Sequence, residues 1–383
     1  MADRSPLLEL AALFLTLGTV GFGGPQAHLA MMEEAVVQHR QWLTPEEFSE
    51  GVALCEMLPG PASTQMGIYI GYRRAGWLGG VVSGVCFIAP AFAIVVALAW
   101  AYFRFQTVPA VQDLFLGAAP AVTAIITAFC LRLSQRVLKE PLHWGLAIAA
   151  LILTLSEAIP VFLVLVLAGA ISWLWVQRSQ AAWLPLLPAA IGPTDFWGWS
   201  QWPERSGPLF RFFLETGTFV FGGGLVIIPL LQQQVVQQWQ WLTAQQFVDG
   251  VAIGQLSPGP VVLTAAFIGF AVAGLSGAAT ATFGIFLPSF LFILLAAPLL
   301  QRLRQNQGIQ QFLRGVSPAV LGAIAATLWP LARPSLQSDQ LSILLFSLLL
   351  FAGNLVALVR WKRPTWQVVL VGIGLGFTIG PLL

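Results

Sequence analysis

A twenty-residue stretch of this chain occurs twice, and this duplication constrains the fold more than any other feature of the sequence. Residues 42–61 read WLTPEEFSEGVALCEMLPGP, and residues 241–260 read WLTAQQFVDGVAIGQLSPGP. Ten of the twenty positions are identical, and each copy follows a glycine break, FGGP at 22–25 and FGGG at 221–224. The chain therefore contains two repeats, and each repeat interrupts its helices with glycine and proline at the same places.

The composition indicates a membrane protein. Hydrophobic residues make up 57% of the chain and charged residues only 9%, which is too few charges to cover a soluble protein of this length. Runs without Asp, Glu, Lys or Arg are long enough to span a bilayer, and they cover residues 78–103, 158–177, 250–301, 340–359 and 364–383. These runs predict an all-α polytopic membrane protein and exclude the short alternating segments of a β-barrel.

Several function classes receive no support from the sequence. The net charge of +2 gives no information about partners, and the sequence has no basic cluster that would indicate a nucleic-acid partner. Cys55, Cys86 and Cys130 lie in apolar segments without metal-ligand spacing, so we expect no disulfide framework, no metal and no cofactor. The N-terminus lacks a cleavage pattern and is expected to form the first membrane helix.

The order of apolar segments repeats in the two halves. We expect a first repeat at 1–177, a Pro- and Trp-rich linker at 178–207 and a second repeat at 208–383. In each repeat, two short helices flank the Pro-Gly-Pro turn, and neither reaches the roughly 20 residues that a span needs. They predict a re-entrant hairpin whose tip lies inside the membrane, where non-helical backbone is tolerated only if it is buried or lines a cavity.

The loop charges predict that the repeats lie in the membrane with opposite topology. Lys and Arg favour cytoplasmic loops, and this bias moves to the other set of loops in the second half. The residues that carry it are Arg73, Arg74, Arg132, Arg136 and Lys139 in the first half, and Arg302, Arg304 and Arg314 in the second. About five crossings per repeat give this inversion, because an odd number of crossings reverses the second copy.

An inverted repeat brings the two turns together near mid-membrane, where each starts a helix whose unpaired N–H groups favour an anion without a buried cation. Broken helices at matching places in two repeats are typical of a transporter's substrate site, although glycine and proline also serve close helix packing. The expected substrate-binding residues are Gly23, Gly24, Pro59, Gly60, Pro61, Ser63, Thr64, Gln65, Gly222, Gly223, Gln255, Ser257, Pro258, Gly259, Pro260 and Thr264.

The FGGP break, the WLT…F…G run, the Pro-Gly-Pro turn and the duplication together resemble the chromate ion transporter family in its two-domain form, over essentially the whole chain. The resemblance implies efflux of chromate, with sulfate as a chemical analogue. Two differences between the repeats, Gly224 in place of Pro25 and Gln255 in place of Glu56, imply that the two half-sites are not equivalent.

Four ionisable residues are candidates for coupling or gating: Glu56, His28, Glu50 and Asp249. Glu56 lies close to the first turn, where it either carries a proton, repels the anion when ionised, or pairs with Arg40 or Arg73. His28 is expected to be structural, since the second repeat has Ile227 there. Glu50 and Asp249 match across the repeats and are expected to satisfy helix ends or basic groups.

The sequence thus predicts a secondary transporter that exports chromate by alternating access. We expect its partners to be a chromate or sulfate-like oxyanion and membrane lipid, and a homodimer is compatible with a membrane bundle. An uptake or exchange carrier for sulfate or another oxyanion is the first alternative. A membrane enzyme and an anion channel are the others; saturation and counter-transport separate a carrier from a channel.

Overall fold

The computed structural model describes residues 5–156, 159–177, 206–218, 220, 224–304, 307–336 and 340–382, and every regular element in these ranges is a helix. The first half contains α1 (Pro6–Val20), α2 (Pro25–Glu33), α3 (Pro45–Met57), α4 (Ala62–Phe105), α5 (Pro109–Leu116), α6 (Ala118–Val137), α7 (Pro141–Leu155) and α8 (Val161–Gln177). The second half contains α9 (Ser206–Thr218), α10 (Ile228–Leu231), α11 (Ala244–Leu256), α12 (Thr264–Arg304), α13 (Gln307–Leu336), α14 (Leu341–Val359) and α15 (Thr365–Ile379).

Short non-α segments complete the helices at matching places. A π-helical segment follows α2 at Glu34–His39, and another follows α10 at Gln232–Gln238. Turns of 3₁₀ helix precede α10 and α12 and end the described chain. The Pro- and Trp-rich linker predicted at 178–207 lies outside the described residues except for its last two positions.

Six helical segments in the described part of the chain are long and apolar enough to cross a membrane: Ala62–Phe105, Pro109–Val137, Val261–Leu295, Gln311–Arg333, Leu341–Val359 and Thr365–Leu382. Three shorter apolar helices, Pro6–Val20, Pro141–Leu155 and Val161–Trp175, accompany them. The prediction of an all-α polytopic membrane protein made of two repeats is confirmed. Five crossings per repeat, and the opposite orientation of the repeats that follows from this number, stay predictions.

The start of the hairpin is fixed by the same local chemistry in both repeats. Thr44 accepts a hydrogen bond from the Glu47 backbone, and the Glu47 side chain accepts one from the Thr44 backbone. Thr243 and Gln246 form the same reciprocal pair before α11. Such a capping box satisfies two N–H groups that a helix start would otherwise leave unpaired, and losing the cap typically costs about 1 kcal/mol.

The two ends of the first hairpin lie close together. Its second arm is the first part of α4, which is broken at Ala75 and Gly76, where Gly76 has a φ of 63°. Just before this break, Arg73 forms an ion pair with Glu47 in the first turn of α3. The entry and the exit of the hairpin therefore lie side by side, as the prediction of a re-entrant hairpin requires. The second repeat has the same break at Ala273 and Gly274.

Glycines allow the first helix of each repeat to approach the long helix closely. A Cβ added at Gly18 of α1 would lie 2.5 Å from the Phe87 carbonyl oxygen, and one at Gly217 of α9 would lie 2.3 Å from the Ile285 carbonyl oxygen. Gly217 lies 199 positions after Gly18 in the chain, and Ile285 lies 198 positions after Phe87. The repeats thus share tertiary packing as well as sequence, and part of their glycine content serves this packing.

Candidate functional site between the repeats

The two Pro-Gly-Pro turns contact each other's repeat through a reciprocal pair of backbone hydrogen bonds. The Gly60 N–H donates to the Val220 carbonyl at 2.6 Å, and the Gly259 N–H donates to the Gly21 carbonyl at 2.8 Å. Gly259 and Val220 each lie 199 positions after their counterparts Gly60 and Gly21. Each turn therefore meets the backbone just before the glycine break of the other repeat, which is the relation that a pseudo-two-fold axis produces.

Both turns require glycine at their centre. Gly60 has a φ of 126° and Gly259 a φ of 88°, a region that residues with a Cβ rarely adopt. Gly23 and Gly24 also have positive φ values, 115° and 82°. Their predicted counterparts Gly222 and Gly223 lie outside the described residues. Three of the glycines selected from the sequence for repeat one therefore have conformations for which glycine is needed.

Polar side chains surround the first turn, and several lack a partner. Ser63, Thr64 and Gln65 form the first turn of α4, and each is at most 1% exposed. The Gln65 Nε2 donates to the Pro59 carbonyl at 2.6 Å. Among the described residues, however, the Ser63 and Thr64 hydroxyls and the Gln65 Oε1 have no hydrogen-bond partner. A buried polar atom left unpaired typically costs about 1–3 kcal/mol, so this group is suited to a polar ligand or water.

Ser289 of repeat two joins this group from the other side. Its side chain is fully buried on α12, and its hydroxyl has no partner in the described part of the chain. A Cβ added at Gly60 would lie 2.4 Å from the Ser289 Oγ and 2.5 Å from the Gln65 Nε2. The hydroxyl and the amide therefore both lie against the first turn. The polar group around Gly60, which consists of Ser63, Thr64, Gln65 and Ser289, is called the first half-site below.

The second half-site is apolar. Val262 and Leu263 take the places of Ser63 and Thr64, and the Thr264 hydroxyl donates to the Val261 carbonyl at 3.1 Å. Ala91 takes the place of Ser289, and a Cβ added at Gly259 would lie 2.9 Å from the Ala91 Cβ. The repeats thus share the backbone geometry of the turn, but among the described residues only the first turn has unpaired hydroxyls around it.

The other side chains predicted for the second half-site have mixed outcomes. Ser257 is buried, and its hydroxyl donates to the Gly254 carbonyl at 2.9 Å. Gln255 is 5% exposed, and its Nε2 is a buried donor without a partner among the described residues. Pro258 and Pro260 frame the turn, and Pro260 has an extended backbone (φ −72°, ψ 127°) before the short 3₁₀ segment.

The helix that follows the first turn presents a free N-terminus to this place. Pro61 is its N-cap residue, with φ −70° and ψ 106°, and no side chain caps the helix. The first N–H groups of a helix have no acceptor within the helix, and the aligned peptide dipoles give this end a partial positive charge. Together with the unpaired hydroxyls, which can donate, this end favours a negatively charged ligand without any cationic side chain.

His28 contacts the backbone just before the glycine break of repeat one. Its Nε2 lies 2.7 Å from the Gly21 carbonyl oxygen, the oxygen that also accepts the hydrogen bond from Gly259. Because a carbonyl can only accept, Nε2 carries the proton in this contact. The ring packs edge-on against Phe87 and is 1% exposed, and burial lowers the pKa of His28. The geometry agrees with the structural role that we expected for His28.

The predicted ion pairs of Glu56 are not formed. Arg73 pairs with Glu47, and Arg40 donates to the Ala35 carbonyl and stacks over Trp42. Glu56 is exposed on α3, together with Glu46, Ser49 and Glu50. These positions lie on one face of α3, and an ionised carboxylate facing hydrocarbon is costly, so this face borders water. Glu50 therefore contacts solvent instead of satisfying a helix end.

Asp249 has a different environment from Glu50, its counterpart in repeat one. It is 2% exposed, and it accepts hydrogen bonds at 2.8 Å from the Tyr102 hydroxyl and at 2.8 Å from the Gln245 Nε2. It lines a cavity of about 430 Å³ between the repeats, to which Tyr102, Gln106, Gln112 and Gln246 also contribute. The expectation that a helix end or a basic group satisfies Asp249 is wrong, since its partners are a tyrosine and an amide.

Two residues of these sites were missed by sequence reasoning. Ser289 follows Pro288, which matches Pro90 in the first repeat at an offset of 198 residues. At the same offset Ser289 matches Ala91, so a comparison of these two positions would have shown the polar difference. Tyr102 gave no signal, because it lies 147 residues from Asp249. In the described ranges, no group of three or more His, Cys, Asp or Glu residues could hold a metal ion, and Cys55, Cys86 and Cys130 are free thiols.

Known proteins are similar to this chain over most of its length. The sequence model of a family described as "Chromate transporter" matches residues 8–173 and 207–377. A "Chromate transport protein" of Cupriavidus metallidurans is 36% identical over 397 residues, which cover 100% of this chain and 95% of the relative. A "Probable chromate transport protein" of Synechococcus elongatus is 37% identical over 345 residues, 86% of each chain. No solved structure matches the chain.

Proposed function

This chain belongs to the chromate transporter family, and from that premise we propose that it exports chromate by alternating access around one oxyanion site at the two Pro-Gly-Pro turns. Membership makes it a multi-pass membrane transport protein and not an enzyme. For a bacterial member, the membrane is the inner one. The direction of transport, the location of the site and the mechanism are the proposed parts.

The observation that carries the proposed site is the meeting of Ser289 with the first turn. Three hydroxyls and one amide from both repeats are buried there, and the hydroxyls and the amide oxygen have no partner among the described residues. Hydrogen bonds to a charged group typically contribute about 1.5–3 kcal/mol each. Three such donors and a helix N-terminus therefore suit a tetrahedral oxyanion such as chromate.

The first half-site carries no charge, which suits a transporter because a transporter has to release its substrate. Its four side chains carry no formal charge. A dianion held by hydroxyls and helix N–H groups is desolvated partially and released readily, whereas a buried arginine would hold it more tightly and would itself be costly in the membrane. The apolar character of the second half-site supports one anion per chain in place of two.

The difference between the two hairpins supports alternating access. On α11, the residues that match the water-facing positions Ser49, Glu50 and Glu56 of α3 are Val248, Asp249 and Gln255, and all three are buried. Glu46 and its match Gln245 in the first helical turn are both exposed, but beyond that turn the same face is open on α3 and covered on α11. Exchange of these two environments would carry the central site from one side of the membrane to the other.

Transport by purified protein in proteoliposomes tests the proposal. Chromate and sulfate fluxes are measured with and without an imposed pH gradient, and saturation and counter-transport distinguish a carrier from a channel. We expect saturable chromate transport that counter-transport accelerates. Transport of sulfate with a clear preference over chromate would favour the sulfate uptake or exchange carrier instead, and transport of neither anion would refute the assignment of the substrate class.

The first half-site is tested with a matched pair of variants. Ser289→Ala removes a donor from the first half-site, and we expect the KM for chromate to rise about tenfold, which corresponds to about 1.4 kcal/mol. Ala91→Ser adds a hydroxyl at the equivalent position of the second half-site, and we expect a KM within about twofold of wild type. Equal KM values for Ser289→Ala and wild type would show that the anion binds elsewhere.

A further inference from the structure

Asp249 is an acid buried between the repeats, and its hydrogen-bond partners in the described part of the chain carry no positive charge. Its Oδ2 accepts from the Tyr102 hydroxyl of repeat one, and its Oδ1 accepts from Gln245 on its own helix. Both partners are neutral donors. A buried ionised carboxylate without a cation is unfavourable, so such a group either becomes neutral by protonation or has a function that requires it.

Five helices pack against α11, which carries Asp249: α4, α6, α12, α13 and α15. The charged residues of α6 and α13 are all exposed: Arg132, Arg136, Arg314 and Arg333. From α4, Tyr102 faces Asp249, and the nearby Arg104 is exposed. Helix α15 carries no titratable side chain, and the described ion pairs do not include Asp249. On α5, which borders the cavity, Asp113 lies against Gly380. Burial raises the pKa of Asp249 to about 7, although the bonds from Tyr102 and Gln245 lower it.

The position of Asp249 links its proton to conformation. Its counterpart Glu50 is exposed, so the exchange of environments proposed above would bring Asp249 from a covered position into contact with water. A carboxyl group that is buried in one state and hydrated in the other binds its proton with different affinity in the two states. By linkage, release of that proton then favours the state in which the Asp249 cavity is open.

The link between proton binding and conformation is expected at Asp249 more than at Glu50. At the position that matches Tyr102, repeat two has Leu300. Glu50 also lies near Arg73 and Glu47, which form an ion pair at the entry of the first hairpin. Only Asp249 therefore combines burial, a hydroxyl donor from the other repeat and a cavity. We propose that Asp249 is the proton-coupling site of the transporter: its carboxyl group is protonated while it is covered, and it is ionised, with the proton released to cavity water, when it becomes exposed.

The proposal rests on the proposed transport function, and two assays separate them. Purified protein in proteoliposomes is tested for chromate exchange at equal pH and for net chromate movement driven by a pH gradient, while an entrapped pH dye records proton movement. We expect Asp249→Asn, which mimics the protonated acid, to retain exchange and to lose gradient-driven movement by about tenfold or more. Asp113→Asn, a carboxylate outside the cavity lining, is expected to behave as wild type in both assays.

Tyr102→Phe supplies a readout that a merely structural residue would not change. Loss of the hydroxyl removes a bond that favours the ionised form, so the midpoint of the pH dependence of net transport should move to higher pH. The proposal would be overturned if Asp249→Asn kept the net chromate transport and the proton movement of the wild type. It would also be overturned if Asp249→Asn lost exchange while the pH profile of Tyr102→Phe stayed unshifted. If the wild type transports chromate in neither assay, the proposed function itself fails.

Discussion

Glu50 and Asp249 occupy the same position in the two repeats, yet Glu50 is exposed and Asp249 is 2% exposed. Both precede a glycine on a helix with the same capping box, and both helices lead to a Pro-Gly-Pro turn. Local sequence therefore does not explain the difference. It arises from tertiary packing, because α11 is covered by helices of both repeats while α3 retains an open face.

The unequal hairpins predict unequal labelling of matched cysteines. In a chain whose three native cysteines are replaced by alanine, Ser49→Cys should react with a maleimide at least about tenfold faster than Val248→Cys, since Val248 is fully buried. Adding sulfate, a tetrahedral analogue that does not oxidise thiols, should accelerate the reaction at position 248. Equal rates at the two positions in the free protein would contradict the asymmetric state.

Alanine at the centre of the first turn should impair transport severely. In Gly60→Ala, the new Cβ would meet the Ser289 hydroxyl and the Gln65 amide in a backbone conformation that costs about 1–3 kcal/mol for a residue with a Cβ. We expect a higher KM for chromate and a lower melting temperature, measured by flux and by thermal unfolding in detergent. Gly145→Ala, where a Cβ meets nothing within 4 Å, is the control and should retain both values.

Removal of the negative charge of Glu56 should improve anion binding. Glu56 lies on the water-facing side of α3, three residues before the first turn, so its carboxylate repels an approaching dianion. In Glu56→Gln, we expect the KM for chromate to fall by up to about tenfold. Glu46→Gln changes an exposed acid at the far end of the same helix and should alter the KM much less. A higher KM in Glu56→Gln would refute this repulsion.

Acid should destabilise the protein partly through His28. Burial holds the pKa of His28 below its ordinary value of about 6.5, so the unfolded chain binds a proton there before the folded chain does. The contribution of neutral His28 to the free energy of unfolding is therefore fully present above about pH 6.5 and is lost as the pH falls below that value. The melting temperature of His28→Gln, which can still donate to the Gly21 carbonyl, should decline less between pH 7 and pH 5. The exposed His39→Gln should decline as wild type does.

Much of the fold could be predicted because local chemistry carries it. The capping boxes at Thr44 and Thr243, the breaks at Gly76 and Gly274 and the turns at Gly60 and Gly259 all depend on residues a few positions apart. The long uncharged runs predicted the spanning helices because hydrocarbon excludes charge. The short second arm predicted for the first hairpin is also present, because the helical geometry of α4 is interrupted at Ala75 and Gly76, where the arm ends and the long helix begins.

The sequence by itself determined that two membrane repeats exist and that each breaks its helices at a glycine-rich turn, since these features follow from hydrophobicity and backbone sterics along the chain. Only the tertiary structure decided which polar groups meet. Ser289 lies against Gly60, which is 229 positions earlier in the chain, and Tyr102 donates to Asp249, which is 147 positions later. Burial and hydrogen-bond geometry depend on every helix that packs around a residue, so the matching acids Glu50 and Asp249 are exposed in one repeat and buried in the other.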